Sequence, residues 1–208
     1  MRETKGSKRT RSKDARMDRE KKKQAKREKR RAKESTNVNF MPIDQIYNPQ
    51  EFVEKIFAKI NNSQKFEVKT AIMSVVGRMV YRHKLVLLQF YSLLIRYLSP
   101  GQRDIGKLLL YLAESVHEDV PLEELSAVVK HIIDQFIGEH CQEDKRVMGI
   151  NTIRELCFKL PNLLDADQLG YICDFADSRE RNVNQAAKSL VNYYRNVMPH
   201  LLPKKLRG

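Results

Sequence analysis

Pro121-Leu122-Glu123-Glu124-Leu125-Ser126-Ala127-Val128-Val129-Lys130-His131-Ile132-Ile133-Asp134-Gln135-Phe136 repeats its apolar side chains three and four residues apart. Leu125, Val128, Val129, Ile132, Ile133 and Phe136 therefore share one side of an α-helix. Pro121 suits the first turn, where its missing N–H costs nothing. Glu123 and Glu124 lie near the positive end of the helix dipole.

The same pattern extends in both directions. Upstream, Asn48-Pro49-Gln50-Glu51 reads as a helix start, with Asn48 as N-cap, Pro49 first in the helix and Glu51 reaching back. Phe52, Val53, Ile56, Phe57 and Ile60 form its stripe, and Asn61-Asn62-Ser63 breaks it. Phe66, Ile72, Met73, Val76, Met79 and Val80 mark a second helix. A third is expected from Leu85 to Leu98, stopping at Pro100-Gly101. Ile105, Leu108, Leu109, Leu112 and Val116 mark a fourth. Downstream of the quoted fifth helix, Val147, Ile150, Ile153, Leu156 and Leu160 define a sixth, ended by Pro161. Asp165 caps a short seventh (Leu169, Ile172, Phe175), and Val183, Ala187, Leu190, Val191 and Tyr194 define an eighth. No segment shows the sustained alternation of a strand.

Eight helices with short connections make either a closed bundle or a stack of hairpins. The odd-numbered ones start near residues 49, 85, 121 and 165, a step of about 36 to 44 residues, within the range of HEAT and armadillo repeats. Asn182-Val183-Asn184-Gln185-Ala186-Ala187-Lys188-Ser189-Leu190 has the small-residue-then-Leu character of a HEAT inner helix, whose alanines admit a close neighbour. The expected fold is all-α, a HEAT/armadillo-like helical-hairpin solenoid over residues 37–208.

Residues 1–36 differ in kind. Between Met1 and Ser35 stand 17 Lys and Arg against 6 Asp and Glu, which places +11 of the chain's formal +13 there. The other 173 residues hold 22 basic and 20 acidic groups. The segment has almost no apolar side chains to bury, so it is expected to be disordered alone. From Asp14 to Glu34 it lacks Gly and Pro and is built of helix formers, so it is conditionally helical on a polyanion.

Several function classes lose support at this level. No apolar run reaches the roughly 20 residues of a membrane-spanning helix. The N-terminal charges precede no apolar segment, unlike a secretory signal, and the six acids speak against a mitochondrial presequence. Cys141, Cys157 and Cys173 are too few and dispersed for a disulfide framework, which fits the cytosol or nucleus. There is no Gly-rich phosphate loop, GxSxG or HExxH.

The remaining titratable residues have structural readings. His140-Cys141 with His131 lacks the spacing of a metal site. Cys157 and Cys173 read as small core residues, and His83 and His117 as helix-end residues suited to the dipole. Asp165 reads as an N-cap, and Asp167, Asp174 and Asp177 as solvated ends. Tyr91, Tyr97, Tyr111, Tyr193 and Tyr194 are expected at the core edge with wet hydroxyls. Gly77, Gly149 and Gly170 fall inside helices, where close packing explains them. No enzyme activity, cofactor, metal or small-molecule substrate is expected.

The arm is the candidate binding segment. Lys21, Lys22, Lys23, Lys26, Arg27, Lys29, Arg30, Arg31 and Lys33 form the nucleic-acid-binding or nuclear-localisation residues. It lacks the bulky apolar residues that would insert into a membrane surface. Lys204, Lys205 and Arg207, in Leu202-Pro203-Lys204-Lys205-Leu206-Arg207, form a candidate second phosphate contact or equally a linker.

Six ordered blocks add a resemblance. They are Ile46-Tyr47-Asn48-Pro49-Gln50-Glu51-Phe52-Val53-Glu54-Lys55, Lys65-Phe66-Glu67-Val68-Lys69, Leu98-Ser99-Pro100-Gly101-Gln102-Arg103-Asp104, Gly149-Ile150-Asn151-Thr152-Ile153-Arg154-Glu155, Ala186-Ala187-Lys188-Ser189-Leu190, and Pro199 to Gly208. In this order and spacing they resemble the Sda (severe depolymerisation of actin) family over residues 37–208, and a Lys/Arg-rich segment precedes this region in that family too. Family members are much longer, so this chain reads as a fragment, a truncated gene model or a reduced form. The resemblance implies a non-enzymatic α-solenoid of the nucleus and nucleolus. It implies action on 60S pre-ribosomal particles (pre-rRNA and assembly proteins) in subunit maturation and nuclear export, with a nuclear import receptor as a further partner. Links to cell-cycle progression, protein transport and actin cytoskeleton organisation are implied indirectly. The alternatives are an armadillo-like peptide-binding or nuclear transport adaptor, with an actin-organising role third.

Overall fold

The structure is a computed structural model that describes residues 42–62, 65–138 and 140–207. The chain divides into two units, Met1–Gln45 and Ile46–Gly208. Of the first, the described part is one 3-10 turn, Pro42–Gln45, with no buried residue. The basic arm, with Lys21 to Lys33, lies outside the described residues.

The second unit is built of helices α1 (Pro49–Asn62), α2 (Phe66–Arg82), α3 (Leu88–Tyr97), α4 (Ile105–Ser115), α5 (Leu122–Ile132), α6 (Glu143–Lys159), α7 (Ala166–Asp174) and α8 (Arg181–Val197). No strand occurs among the described residues. Each odd helix packs on the even helix that follows it. The even helices also pack on one another in turn, α2 on α4, α4 on α6 and α6 on α8. This arrangement is a stack of helical hairpins, the solenoid rather than the closed bundle.

Side-chain size explains how closely the row packs. Met73, Val76 and Val80 of α2, Leu108 and Leu112 of α4, Ile150 and Ile153 of α6, and Leu190 and Tyr194 of α8 are fully buried. Truncating such a Leu or Ile to Ala costs about 2–5 kcal/mol in a packed core. At two tight contacts the sequence places glycine. A Cβ on Gly77 would lie 3.1 Å from the Tyr111 carbonyl oxygen, and one on Gly149 2.8 Å from Phe136 Cβ. Gly170 has no such reason, since nothing lies within 4 Å of its Cβ position.

The start signals are local and hold. Asn48 Oδ1 accepts from the Glu51 N–H at 3.3 Å, although Glu51 answers to the Asn48 side-chain amide at 3.0 Å instead of its backbone. Asp165 and Gln168 close a reciprocal capping box on α7.

Four expectations are corrected by tertiary contacts. Helix α3 begins at Leu88, not Leu85: Lys84 turns left-handed (φ 52°) after α2, and Leu85–Leu87 lie outside any helix. Phe52, assigned to the buried stripe of α1, is exposed, while Val53 and Ile60 carry the burial. The fifth helix does not stay α throughout; Ile133–Ile137 forms a π turn that places both Phe136 and Ile137 in the core. Tyr91 and Tyr194 are core residues, and their hydroxyls are not wet. Tyr91 donates to the Ser115 carbonyl at 3.2 Å and Tyr194 to that of Pro161 at 2.9 Å.

Candidate functional site

The cationic segment at the end of the described chain folds back on α8. Leu202 is buried and pins it. Arg195 Nε donates to the Leu206 carbonyl at 2.7 Å, and Arg207 donates to the carbonyls of Leu202 (2.7 Å) and His200 (2.8 Å). Lys205 stands 3.7 Å from Asp174 and 3.9 Å from Asp177. Of the three residues singled out from the sequence, Arg207 and Lys205 therefore help hold the segment in place, and Lys204 is exposed to solvent.

Helix α8 carries more cationic surface than this segment. It contains Arg181, Lys188 and Arg195 and no acidic residue. From 179 to 207 the chain has seven Lys and Arg against Glu180 alone, and Glu180 is ion-paired to Arg146 at 2.6 Å. Sequence reading had placed the charge asymmetry at the arm and missed this smaller one, which the absence of Asp and Glu across α8 signals.

Beside it, α6 and α8 enclose a groove of about 320 Å³ lined by Asn151, Arg154, Asn182, Gln185 and Ser189. Arg154 is held in the groove. It donates to Ser189 Oγ and to Glu155, both at 3.0 Å, and its guanidinium stacks on Phe158, 5.6 Å from the ring centroid. Phe158 meets Tyr193 edge-on at 4.6 Å. The Asn182 amide donates to Glu143 at 2.8 Å. Between α4 and α6 the next groove, about 270 Å³, is more apolar, with Leu110, Ala113, Val147 and Met148.

Other polar residues tie one hairpin to the next. His117 accepts the Asp119 N–H at Nδ1 (3.3 Å) and is thereby set to donate from Nε2 to the Leu85 carbonyl at 2.9 Å. His131 Nε2 meets the Leu98 carbonyl at 2.7 Å. Arg146, buried within α6, donates to the carbonyls of Cys141 (3.0 Å) and Gly138 (3.4 Å) and lies 5.3 Å from the Phe175 ring centroid. Burial pushes the Cys157 and Cys173 thiols up to about 11, as expected of inert core cysteines. Among the described residues, no group of three or more His, Cys, Asp and Glu is placed to hold a metal ion. No described helix is long and apolar enough to cross a membrane.

The arrangement offers an extended helical surface, and the comparisons with known proteins agree with a repeat architecture. A family model described as SDA1, HEAT repeat matches residues 1–179. The chain is 36% identical over 171 residues to a protein SDA1 homolog of Dictyostelium discoideum, with 82% of this chain and 23% of the relative covered. It is 34% identical over 206 residues to protein sda1 of Schizosaccharomyces pombe (97% and 29%), and 34% identical over 188 residues to a protein SDA1 homolog of Drosophila melanogaster (90% and 26%). The chain spans about a quarter of the length of these relatives. With the repeat fold, the ordered sequence blocks and the family match in agreement, this chain belongs to the SDA1 HEAT-repeat family.

Proposed function

We propose that this chain is the non-enzymatic scaffold portion of an assembly factor for the large (60S) ribosomal subunit, acting in the nucleus and nucleolus in maturation and export of the precursor particle. In this reading the Lys21–Lys33 arm contacts pre-rRNA and carries the import signal, and the solenoid docks assembly proteins. One observation carries it: the even helices form a single row that presents Leu110, Met148 and Phe158 to solvent. Such a face suits docking along its length, since chemistry on a small substrate needs convergent groups in a closed site. Membership of the family supports the assignment to ribosome assembly, which the resemblance implies. The test is retrieval of the tagged chain from nuclear extract, where precursors of large-subunit rRNA should accompany it. Recovery without them overturns the reading.

A peptide-binding adaptor is the second reading, and the amides of Asn151, Asn182 and Gln185 in one groove favour it. Side-chain amides can pair with the main chain of an extended peptide. Peptide capture that Asn151→Ala with Asn182→Ala abolishes, in a chain that recovers no ribosomal precursor, would favour this reading over the first.

A further inference from the structure

We infer that the solvent face of α8 is a second RNA-contacting surface, separate from the arm, in which Arg181, Lys188 and Arg195 meet phosphates. These three cations stand seven residues apart, two helical turns, with Gln185 and Asn192 between them, and all five side chains are exposed. They make one straight stripe about 21 Å long, with a cation every 10.5 Å or so. Among the described residues, none of Arg181, Lys188 and Arg195 meets a carboxylate, and Arg195 gives Nε to the Leu206 carbonyl and Nη1 to Asn192 Oδ1, which leaves Nη2 for a phosphate. The fold-back just described brings Lys204 and Arg207 to the same end of the helix as Arg195.

Three features of the molecule speak against a merely solvated face or a protein-packing face. The longer helices α1 and α6 mix signs, with Glu51 and Glu54 beside Lys55 and Lys59 on one and Glu143, Asp144 and Glu155 beside Lys145 and Lys159 on the other, while α7 holds acids alone and α3 the single cation Arg96. Helix α8 has cations alone. The helix–helix seams of this solenoid are apolar or glycine-lined, whereas the stripe has no apolar side chain. Protein interfaces draw their affinity from buried aromatic and aliphatic anchors and are poor in Lys, while nucleic-acid interfaces are polar and strongly positive. Amides between the cations add donors and acceptors suited to sugar hydroxyls and base edges.

The proposal concerns the body alone, so it stands or falls apart from the arm's role. The full chain and a version with Lys21–Lys33 neutralised to Gln are titrated against a labelled RNA stem-loop, by fluorescence anisotropy at several salt concentrations. In both backgrounds R181Q/K188Q should weaken binding about tenfold and lower the salt slope by about 2, one for each phosphate left without its cation. Neither side chain has an intramolecular partner among the described residues, so the thermal midpoint should not move. The control K59Q/K130Q removes the same charge from α1 and α5 and should leave both readouts within twofold of the parent. Unchanged affinity for R181Q/K188Q overturns the proposal, as does an equal weakening in the control, which would make net charge the only determinant. Competition by poly-glutamate as potent as that by unlabelled RNA also overturns it, in favour of an acidic protein partner. Arm neutralisation that leaves the affinity of the parent chain unchanged would refute the arm's assignment and leave this one intact.

Discussion

The ammonium of Lys159 lies 4.1 Å from the centroid of the Tyr81 ring, and the two residues belong to α6 and α2, on either side of α4. The same ammonium donates to the carbonyls of Ala113 (2.7 Å), Glu114 (3.2 Å) and Val116 (3.0 Å) at the C-terminal end of α4. One side chain thus ties three successive even helices together. Helix ends leave carbonyls without intrahelical partners, and a cation is favoured there by the dipole. Lys159→Met should destabilise the fold by about 2 kcal/mol, the low end for several charged hydrogen bonds at a half-exposed site. Tyr81→Leu should cost about 1 kcal/mol. Urea midpoints at unchanged m-value check both.

Arg146 makes the corresponding tie between the fifth helix and the last hairpin, with Glu180 at 2.6 Å and two carbonyls on its other side. Arg146→Met should cost about 3 kcal/mol, since it strands carbonyl acceptors and a half-buried carboxylate. Lysine cannot reproduce the fork, so Arg146→Lys should recover less than half of the loss. A double-mutant cycle with Glu180→Gln should give a coupling of about 1–2 kcal/mol.

Glycine substitutions should separate packing from propensity. Gly149→Ala meets Phe136 Cβ at 2.8 Å and Ile137 Cγ1 at 3.1 Å, so the overpacking cost of about 1–3 kcal/mol outweighs the helix-propensity gain. Gly170→Ala meets nothing within 4 Å and should stabilise by about 0.5–1 kcal/mol. Thermal midpoints that move in opposite directions bear this out; two downward shifts would refute it.

Stability should fall at alkaline pH. Burial holds the Cys157 and Cys173 thiols up at about 11 and the Tyr91 hydroxyl up at about 12, and it raises Tyr194 as well. Each group keeps its proton to higher pH folded than unfolded, so above about pH 9 the folded chain binds more protons. Their contribution is complete below the unfolded values and is lost as pH rises through about 9 to 12. Denaturant midpoints flat from pH 7 to 8.5 and falling beyond check the sign. Cys157→Ala with Cys173→Ala should delay the onset toward pH 10.

Neutralising Lys21 to Lys33 should abolish nuclear accumulation of a fluorescent fusion, because import receptors read clustered cations. An unchanged distribution would refute that role.

Where helices begin was legible wherever the signal was local. Asp165 and Gln168, three residues apart, cap α7 with each other and need no other part of the chain. The start of α3 was not legible, because the left-handed turn at Lys84 belongs to a loop whose Leu85 carbonyl is claimed by His117, 32 residues on. Tyr91 and Tyr194 were placed at the core edge because periodicity shows a face but no acceptor. Their acceptors, the Ser115 and Pro161 carbonyls, come from 24 and 33 residues away. The stripe on α8 was present in the sequence as a helix without acids. Its meaning waited on knowing which side chains face solvent.

The sequence by itself determined that the body is all-α, that its helices recur in pairs about 40 residues apart, and that a polycationic arm precedes it. These follow from i,i+3 and i,i+4 spacing, local capping and charge counts, which depend on near neighbours alone. The tertiary structure decided that the hairpins stack into a row and that His117, Arg146 and Lys159 seal its seams. It also decided that Arg207 and Lys205 brace the end of the described chain while Arg181 and Lys188 stay open to solvent. Each of these depends on carbonyls and carboxylates brought close from distant positions, and a side chain's role follows from the partners that folding leaves within its reach.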